Sequence, residues 1–326
     1  MTMILKGLGL GLILTLASPV SAQNTLQQAN ALLFQQLKTV HKLSSAELSR
    51  LQQIFSRSGY IGQGNPAITR HPMTPEQCQA RIPGGKNGYA NSKNQRICGD
   101  KYMAPLYDPR TQKPGDAKAC IDQFEFPNIP CTYPVVWTKA VEAAEICAAV
   151  GKRLCDAHEW EGACAGALEP PDYFYGTGSV AAARNAHNAK YGSTKNWAYG
   201  ANFKRGVCAQ NSEKSASCGG GGYGSCGSNT YPTGAFPSCK SKLGVYDQHG
   251  NAAEHMNLPM APDQMASAGT KLGVTEMKGS WFIWDKYRAH PDWCRWRAPY
   301  WHGSKVMSRS SHENYHLGFR CCKTIN

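Results

Sequence analysis

Fourteen cysteines in a chain of 326 residues are the strongest constraint on how this sequence folds. The number is even, and cysteines of an exported chain are most simply interpreted as disulfides, which here means seven bridges. Structural zinc is disfavoured because zinc sites use paired C-x-x-C spacings, which the chain lacks. Cys218 and Cys226 flank a glycine run and are candidates to close a small loop, and Cys208 and Cys239 are candidates to pair. A free reactive thiol is an open alternative.

The N-terminus has the pattern of a secretory signal peptide. Lys6 precedes an apolar run from Leu8 to Leu16, and residues 20–22 form a small-residue cleavage pattern. Residues 1–22 are therefore predicted to be removed, and the mature protein is expected to be secreted or periplasmic. No other stretch is long and apolar enough for a transmembrane segment. The formal net charge of +13 favours acidic partners or surfaces.

Residues 23–58 are predicted to form a helical segment. Their leucines fall near helical spacing, and Ser44-Ser-Ala-Glu47 is a capping box for the second of two short helices. We expect an α-hairpin that packs on the main domain, and a separate pair of binding helices is the alternative. Residues 59–118 are rich in Gly, Pro, Asn and Lys and are predicted to form an irregular, ordered wrap, with Cys78 and Cys98 in disulfides.

Residues 119–326 are predicted to form the main domain. Apolar positions from Ala140 to Val150 predict a helix that ends near Gly151, and Asp156 is a candidate N-cap of a second short helix. Farther along the chain, helical and strand periodicity fades. The glycine run at 219–222 lacks the preceding strand and following helix of a phosphate-binding loop, so a nucleotide site is not expected.

Four phrases in fixed order single out this domain. They are Cys120-Ile-Asp-Gln-Phe-Glu125, Gly151-Lys-Arg-Leu-Cys-Asp-Ala-His-Glu-Trp-Glu161, Gly244-Val-Tyr-Asp-Gln-His-Gly-Asn-Ala-Ala-Glu254, and Gly279-Ser-Trp281 with a closing Gly318-Phe-Arg-Cys321. Together they resemble the catalytic domain of the formylglycine-generating enzyme (sulfatase-modifying factor) superfamily. The resemblance implies an α+β fold that is related to C-type lectins, poor in regular secondary structure and rich in disulfides.

The resemblance also implies two disulfides. Cys147 and Cys164 match a family pair of cysteines whose partners lie near the C-terminus, and Cys321 and Cys294 match those partners. The implied bridges are Cys147–Cys321 and Cys164–Cys294. The resemblance does not imply the remaining five pairings.

A calcium site is implied at Gly250-Asn-Ala-Ala-Glu254. In the family this turn supplies oxygen ligands to calcium, and Asn251 and Glu254 are the matching residues. The alternative is that Asn251 caps a turn and Glu254 makes an ordinary salt bridge. A second family calcium site matches less well, because the expected Ala-Asn pair is Ala209-Gln-Asn211 here.

The oxidases of this family bind copper(I) with two cysteines shortly after the Gly-Ser phrase. In this chain the first position falls on Ile283 and the second around Tyr287 or Arg288, so a standard copper formylglycine-generating oxidase is not expected. Ser280 matches a family active-site serine. His255 replaces a family aromatic and is a candidate proton carrier, or a ligand of a rebuilt copper or iron site; a packed histidine is the alternative.

Aromatic and basic residues are interleaved after Ser280. Trp281, Trp284, Arg288 and Arg297 are candidates to stack on and clamp a peptide, a peptide-derived molecule or a glycan. Export disfavours nucleic acid as the ligand. The alternative is that part of this set is core, because the fold has few helices to bury.

Two functions are compatible with these observations. In the first, the protein is an oxidoreductase-type maturation factor that acts on a peptide or peptide-derived substrate. In the second, it is a non-catalytic, calcium- and disulfide-stabilised binding module for a glycan, cell-wall component or protein. Titratable or metal-binding groups that converge on Ser280 and His255 would favour the first. The sequence leaves the substrate and the oligomeric state open.

Overall fold

The computed structural model describes residues 25–269, 271–298 and 303–325. The predicted signal peptide, residues 1–22, lies outside the described residues. The helices are α1 (Leu26–His41), α2 (Ser45–Ser58), α3 (Pro75–Arg81), α4 (Ser92–Cys98), α5 (Ala140–Ala149), α6 (Ala157–Ala165) and α7 (Val180–Tyr191). None of the helices in the described ranges is both long and apolar enough to cross a membrane.

Two small sheets accompany the helices. The strands are β1 (Met103–Leu106), β2 (Ala119–Asp122), β3 (Arg153–Leu154), β4 (Ala253–Leu258), β5 (Val274–Lys278), β6 (Leu317–Phe319) and β7 (Cys321–Thr324). The first sheet has the antiparallel order β1-β2-β7-β3. The second has the order β5-β4-β6, with β4 antiparallel to β5 and parallel to β6. The fold therefore belongs to the predicted α+β class.

Local signals in the sequence locate several helix ends. The helix predicted from Ala140 is α5, and Gly151 follows it with a positive φ of 71°. Asp156 is the N-cap residue of α6, as predicted. The backbone N–H of Ser44 donates to Glu47 Oε2 at 2.7 Å and the N–H of Glu47 donates to Ser44 Oγ at 3.3 Å, so the predicted capping box precedes α2.

The N-terminal helices contribute side chains to the core. Leu33, Leu37 and Phe55 are buried in one apolar cluster with Ile146 of α5. Segment 59–118 contains α3, α4 and β1, and β1 pairs with β2 in the first sheet. Both N-terminal segments are thus attached to the residues that carry the four phrases.

Seven disulfides connect all fourteen cysteines, so no thiol is free. They include Cys147–Cys321 and Cys164–Cys294, the two bridges that the resemblance implies, and the two local pairs Cys208–Cys239 and Cys218–Cys226. The other three are Cys78–Cys131, Cys98–Cys120 and Cys155–Cys322. The adjacent residues Cys321 and Cys322 reach different partners because successive side chains of β7 point to opposite faces of the sheet.

Candidate functional site

Ser280 lies directly after β5, at a turn that requires glycine. Gly279 has a φ of 75°, and a Cβ at this position would lie 3.0 Å from the carbonyl oxygen of Gln248. A side chain there would therefore be both strained and crowded. The turn directs Ser280 into the interior, where it is fully buried.

The Ser280 hydroxyl is saturated by hydrogen bonds. Its Oγ accepts from the backbone N–H of Gly250 and from Gln210 Nε2, both at 2.9 Å, and donates to Asp292 Oδ2 at 3.0 Å. A hydroxyl has one proton to donate and two lone pairs to accept with, and all three are used here. In this arrangement Ser280 connects three segments of the fold and offers nothing to a ligand.

Asp292 and His249 extend this polar network. Asp292 Oδ1 accepts from Trp197 Nε1 at 2.9 Å, and Asp292 Oδ2 lies 3.6 Å from His249 Nδ1. Burial raises the pKa of Asp292, but the His249 imidazole and the hydrogen bonds from Trp197 and Ser280 outweigh burial and hold it below its usual range. We therefore assign Asp292 as a buried carboxylate anion.

The other side of His249 faces a disulfide. Its Nε2 accepts from the backbone N–H of Ala198 at 3.0 Å and lies 3.2 Å from Cys164 Sγ. Cys164, His249 and Cys294 are close enough together to hold a metal, but both sulfurs belong to one disulfide. Cysteine binds a metal as a thiolate, and the two sulfurs of a disulfide are not thiolates. This trio therefore does not fit a copper or iron ion.

Two further groups of potential metal ligands lie in the described part of the chain, and neither fits a redox metal. In the first, Cys155 and Cys322 form a disulfide beside Glu159. The second group consists of Glu161, Asp172 and His187, and cationic side chains contact its carboxylates. Arg297 binds both oxygens of Glu161, and Lys278 Nζ lies 2.9 Å from Glu161 Oε1. These cations already neutralise the carboxylates.

His255 contacts the backbone of another segment. It lies on β4, is fully buried, and its Nε2 is 2.8 Å from the carbonyl oxygen of Thr138. The hydrogen bonds of Ser280 go to Gly250, Gln210 and Asp292. His249 is linked to Ser280 through Asp292, whose Oδ2 accepts from Ser280 and lies near His249.

The side chains implied for calcium are engaged by protein groups. Glu254 receives two hydrogen bonds from Arg320, Nε to Oε2 at 2.7 Å and Nη2 to Oε1 at 2.6 Å, and a third from Trp160 Nε1 at 3.0 Å. Asn251 Oδ1 accepts from the backbone N–H of Tyr231 at 2.8 Å. A calcium ion would have to displace the Arg320 guanidinium, so Asn251 and Glu254 do not fit a calcium site. The salt-bridge alternative describes Glu254.

Two more carboxyl groups lie in this region. Burial and the neighbouring carboxylates of Asp247 and Glu254 raise the pKa of Glu125 well above its usual range. Burial, with Glu254, raises the pKa of Asp247 to about 7, although a hydrogen bond from the Gly234 N–H and the charge of Arg320 oppose this shift. The single positive charge of Arg320 thus lies near three carboxyl groups. It cannot neutralise all three, so protonation of Glu125 and Asp247 is favoured.

The four residues predicted to bind substrate lie in different surroundings. Trp281 is packed between other rings, and Trp284 is buried beside His290. Arg288 is exposed, with its guanidinium carbon 4.4 Å from the centroid of the Phe203 ring. Arg297 is fully buried in its ion pair with Glu161 and is out of reach of a surface ligand. The prediction that Arg297 contacts substrate is therefore not supported.

Trp281 belongs to a continuous series of rings, here called the aromatic row. The row consists of Tyr60, Tyr223, Trp137, Tyr315, Trp281 and Tyr287, with 4.7, 5.1, 6.4, 6.3 and 6.2 Å between successive ring centroids. Its ends are open to solvent, because Tyr60 is 43% exposed and Tyr287 is 60% exposed. The Nε1 atoms of Trp137 and Trp281 and the hydroxyl of Tyr223 are buried without a hydrogen-bond partner among the described residues.

Trp137 is unusual in its backbone as well. Its φ of 57° is in the left-handed region, which is a conformational outlier for a bulky residue. The conformation is held by a hydrogen bond from the Trp137 N–H to the carbonyl oxygen of Asn314 at 3.1 Å. Outliers of this kind concentrate at binding and catalytic sites.

Comparison with known proteins identifies the family. The sequence matches the family described as "Sulfatase-modifying factor enzyme 1-like domain" over residues 67–325. The chain belongs to this family. The match takes in most of segment 59–118 as well as the residues of the four phrases. No curated protein matches the chain. A solved structure described as "Crystal Structure of CarF" is 16% identical, covers 79% of this chain and 86% of that chain, and has a TM-score of 0.31.

Several members of the family-serine network are not recognisable from the sequence. Asp292 and Gln210 have no motif of their own. His249 stands in the third phrase, but nothing in that phrase indicates that it contacts Asp292. Arg320 stands in the closing Gly-Phe-Arg phrase, but nothing local indicates that its partner is Glu254. For Gln210 the available signal is the sequence Ala209-Gln-Asn211 in place of the expected Ala-Asn pair, since the Gln210 amide donates to Ser280.

Proposed function

We propose that this family member is an exported binding protein that holds an extended peptide on the aromatic row. The observation that carries the proposal is the row itself, six rings long, with the exposed tyrosines Tyr60 and Tyr287 at its two ends and largely buried rings between them. Aromatic rings supply large contact area at a low cost in conformational entropy.

Export is part of this proposal. Seven disulfides persist most easily in an oxidising compartment, and residues 1–22 have the composition of a secretory signal peptide. Copper-dependent formylglycine generation is not part of it. Ile283 occupies the position of the first family copper ligand, and every cysteine of the chain is in a disulfide.

A peptide array tests the binding proposal. The oxidised mature protein is incubated with the array, and the strongest peptide is then titrated against wild type and a Tyr60→Ala/Tyr287→Ala variant. Both tyrosines are exposed, so the variant is expected to fold. Its affinity is expected to fall by about tenfold or more, because truncating an aromatic anchor commonly costs more than 1 kcal/mol.

The matched control is Tyr175→Ala, which removes an exposed tyrosine outside the row. Its affinity is expected to equal that of wild type. Equal losses in the two variants would show that the row is not the binding surface. Binding to a glycan array with no binding to peptides would overturn the ligand class.

An oxidoreductase-type maturation factor is the second candidate. The buried pair His249 and Asp292 beside Ser280 favours it, since titratable groups do meet at the family serine. Metal analysis of the oxidised protein, in wild type and His249→Ala, separates the candidates. Copper or iron that is retained by wild type and lost in the variant would favour the redox enzyme. Absence of both metals from the wild type would favour the binding protein.

A further inference from the structure

A small cavity lies apart from the aromatic row and from the residues that hydrogen-bond to Ser280. It has a volume of about 310 Å³ and lies between residues 88–94, the end of β1 and residues 240–246. Ligand pockets range upward from roughly this volume, so it suits a small molecule. Gln123, from the first of the four phrases, is among its lining residues.

The charged residues that line the cavity are all cationic. Lys240 and Lys242 line it, and no aspartate or glutamate does. Neither lysine has a carboxylate partner within the described part of the chain. The Lys240 ammonium lies 5.5 Å from the ring centroid of Tyr246, another lining residue. Two unneutralised cations at the rim of a small cavity favour an anionic ligand.

The neutral lining groups are suited to a hydroxylated ligand. Asn91 and Asn94 provide amide groups, and Tyr107 provides a half-buried phenol. Gln123 is 5% exposed, and its Nε2 donates to the carbonyl oxygen of Gly244 at 2.9 Å. Its Oε1 has no hydrogen-bond partner among the described residues. Asn94 and Tyr107 are only partly buried, so their amide and hydroxyl groups are within reach of a ligand in the cavity.

We propose that this cavity binds an acidic monosaccharide unit, with its carboxylate at Lys240 and Lys242 and its hydroxyls at Asn94 and Tyr107. The proposal is independent of peptide binding on the aromatic row, since the two sites share no residue. A fatty acid is a poor fit because lysine, asparagine, glutamine and tyrosine dominate the lining.

Calorimetric titration of the mature, oxidised protein with glucuronic acid tests the proposal, with glucose as the neutral probe of the same ring size. Glucuronic acid is expected to bind and glucose to bind at least about tenfold more weakly, since the charge-assisted bonds are lost. In Lys240→Ala/Lys242→Ala, the affinity for glucuronic acid is expected to fall by about tenfold or more. Asn94→Ala is expected to weaken binding by a few-fold without a change in charge.

The matched control is Lys93→Ala/Lys118→Ala, which removes the same charge from exposed lysines that do not line the cavity. Its affinity is expected to stay within about twofold of wild type. Equal weakening in both double variants would overturn the site, since net charge alone would then explain binding. Inorganic phosphate that competes as well as glucuronic acid would overturn the saccharide class. No binding of glucuronic acid at millimolar concentration would overturn the proposal altogether.

Discussion

Glu254 and Arg320 form a buried ion pair, and this pair determines whether the Asn251–Glu254 turn can bind calcium. Both side chains are buried, and two hydrogen bonds join them. The sequence correctly marks both residues as special, because each stands in one of the four phrases. It does not show that the two side chains meet across 66 residues, so the sequence favours the calcium interpretation and leaves the salt bridge as the alternative.

Glu254→Gln is expected to destabilise the protein by about 3 kcal/mol, because it removes the carboxylate that receives two hydrogen bonds from the buried Arg320 guanidinium. Urea denaturation with the disulfides intact measures this loss. The control is Glu213→Gln, which breaks an exposed pair with Lys286 and is expected to change nothing measurable. Wild type is also expected to melt at the same temperature with calcium and with a chelator. A clear rise in melting temperature with calcium would contradict our account of this turn.

Asp247 makes stability depend on pH. Its pKa is about 7 in the folded protein and near 3.8 when unfolded, so between these values the folded state holds the proton more tightly. The free energy of unfolding therefore falls as pH rises from 3.8 to about 7, and this contribution is constant outside that window.

Asp247→Asn removes this titration and keeps an acceptor for the Gly234 N–H. Asparagine also tolerates the left-handed φ of 57° at this position. The stability of the variant relative to wild type is therefore expected to increase between pH 4 and pH 7. Denaturation at several pH values measures the difference, with exposed Asp263→Asn as the control. A difference that is independent of pH would show that Asp247 titrates normally.

Strand β7 carries two of the seven disulfides. Its residues Cys321 and Cys322 bind Cys147 in α5 and Cys155 beside β3, in two separate apolar clusters. Both bridges close loops of more than 160 residues. The Cys218–Cys226 bridge, by contrast, spans 8 residues and holds the loop that carries Tyr223 of the aromatic row.

Removal of these bridges is expected to have different costs. In the chain-entropy model, Cys147→Ala/Cys321→Ala costs about 5 kcal/mol and Cys218→Ala/Cys226→Ala about 2.5 kcal/mol. The second variant is also expected to bind peptide more weakly, because Tyr223 loses its support. Urea denaturation and peptide titration measure the two effects. Equal stability losses, or peptide binding unchanged in the second variant, would contradict these assignments.

Features that depend on residues close together in the sequence could be predicted, and features that depend on distant residues could not. The ends of α2, α5 and α6 follow from caps and spacing within a few residues, and these predictions were correct. Arg297 is the opposite case. Its sequence neighbours are aromatic and basic, which indicates a binding surface, but its partner Glu161 lies 136 residues away and keeps it buried. Long-range neutralisation of this kind has no local signature.

For the whole molecule, the family and the α+β fold follow from the sequence, whereas the function depends on what the family-serine region has become. Ser280, Gln210 and Asp292 form a closed polar network, and the cysteines that would bind copper are absent. The aromatic row remains open to solvent at both ends. The proposal of a peptide-binding protein in place of a copper oxidase rests on these two observations.

One measurement tests this account most directly. A cysteine-containing peptide that binds the protein is incubated with it in the presence of copper(I) and oxygen, and the recovered peptide is analysed by mass spectrometry. We predict that the peptide binds and that, after reduction of any disulfides, it is recovered with its cysteine intact and without formylglycine. Recovery of a peptide whose cysteine has been oxidised to formylglycine, by wild type but not by heat-denatured protein, would contradict the account.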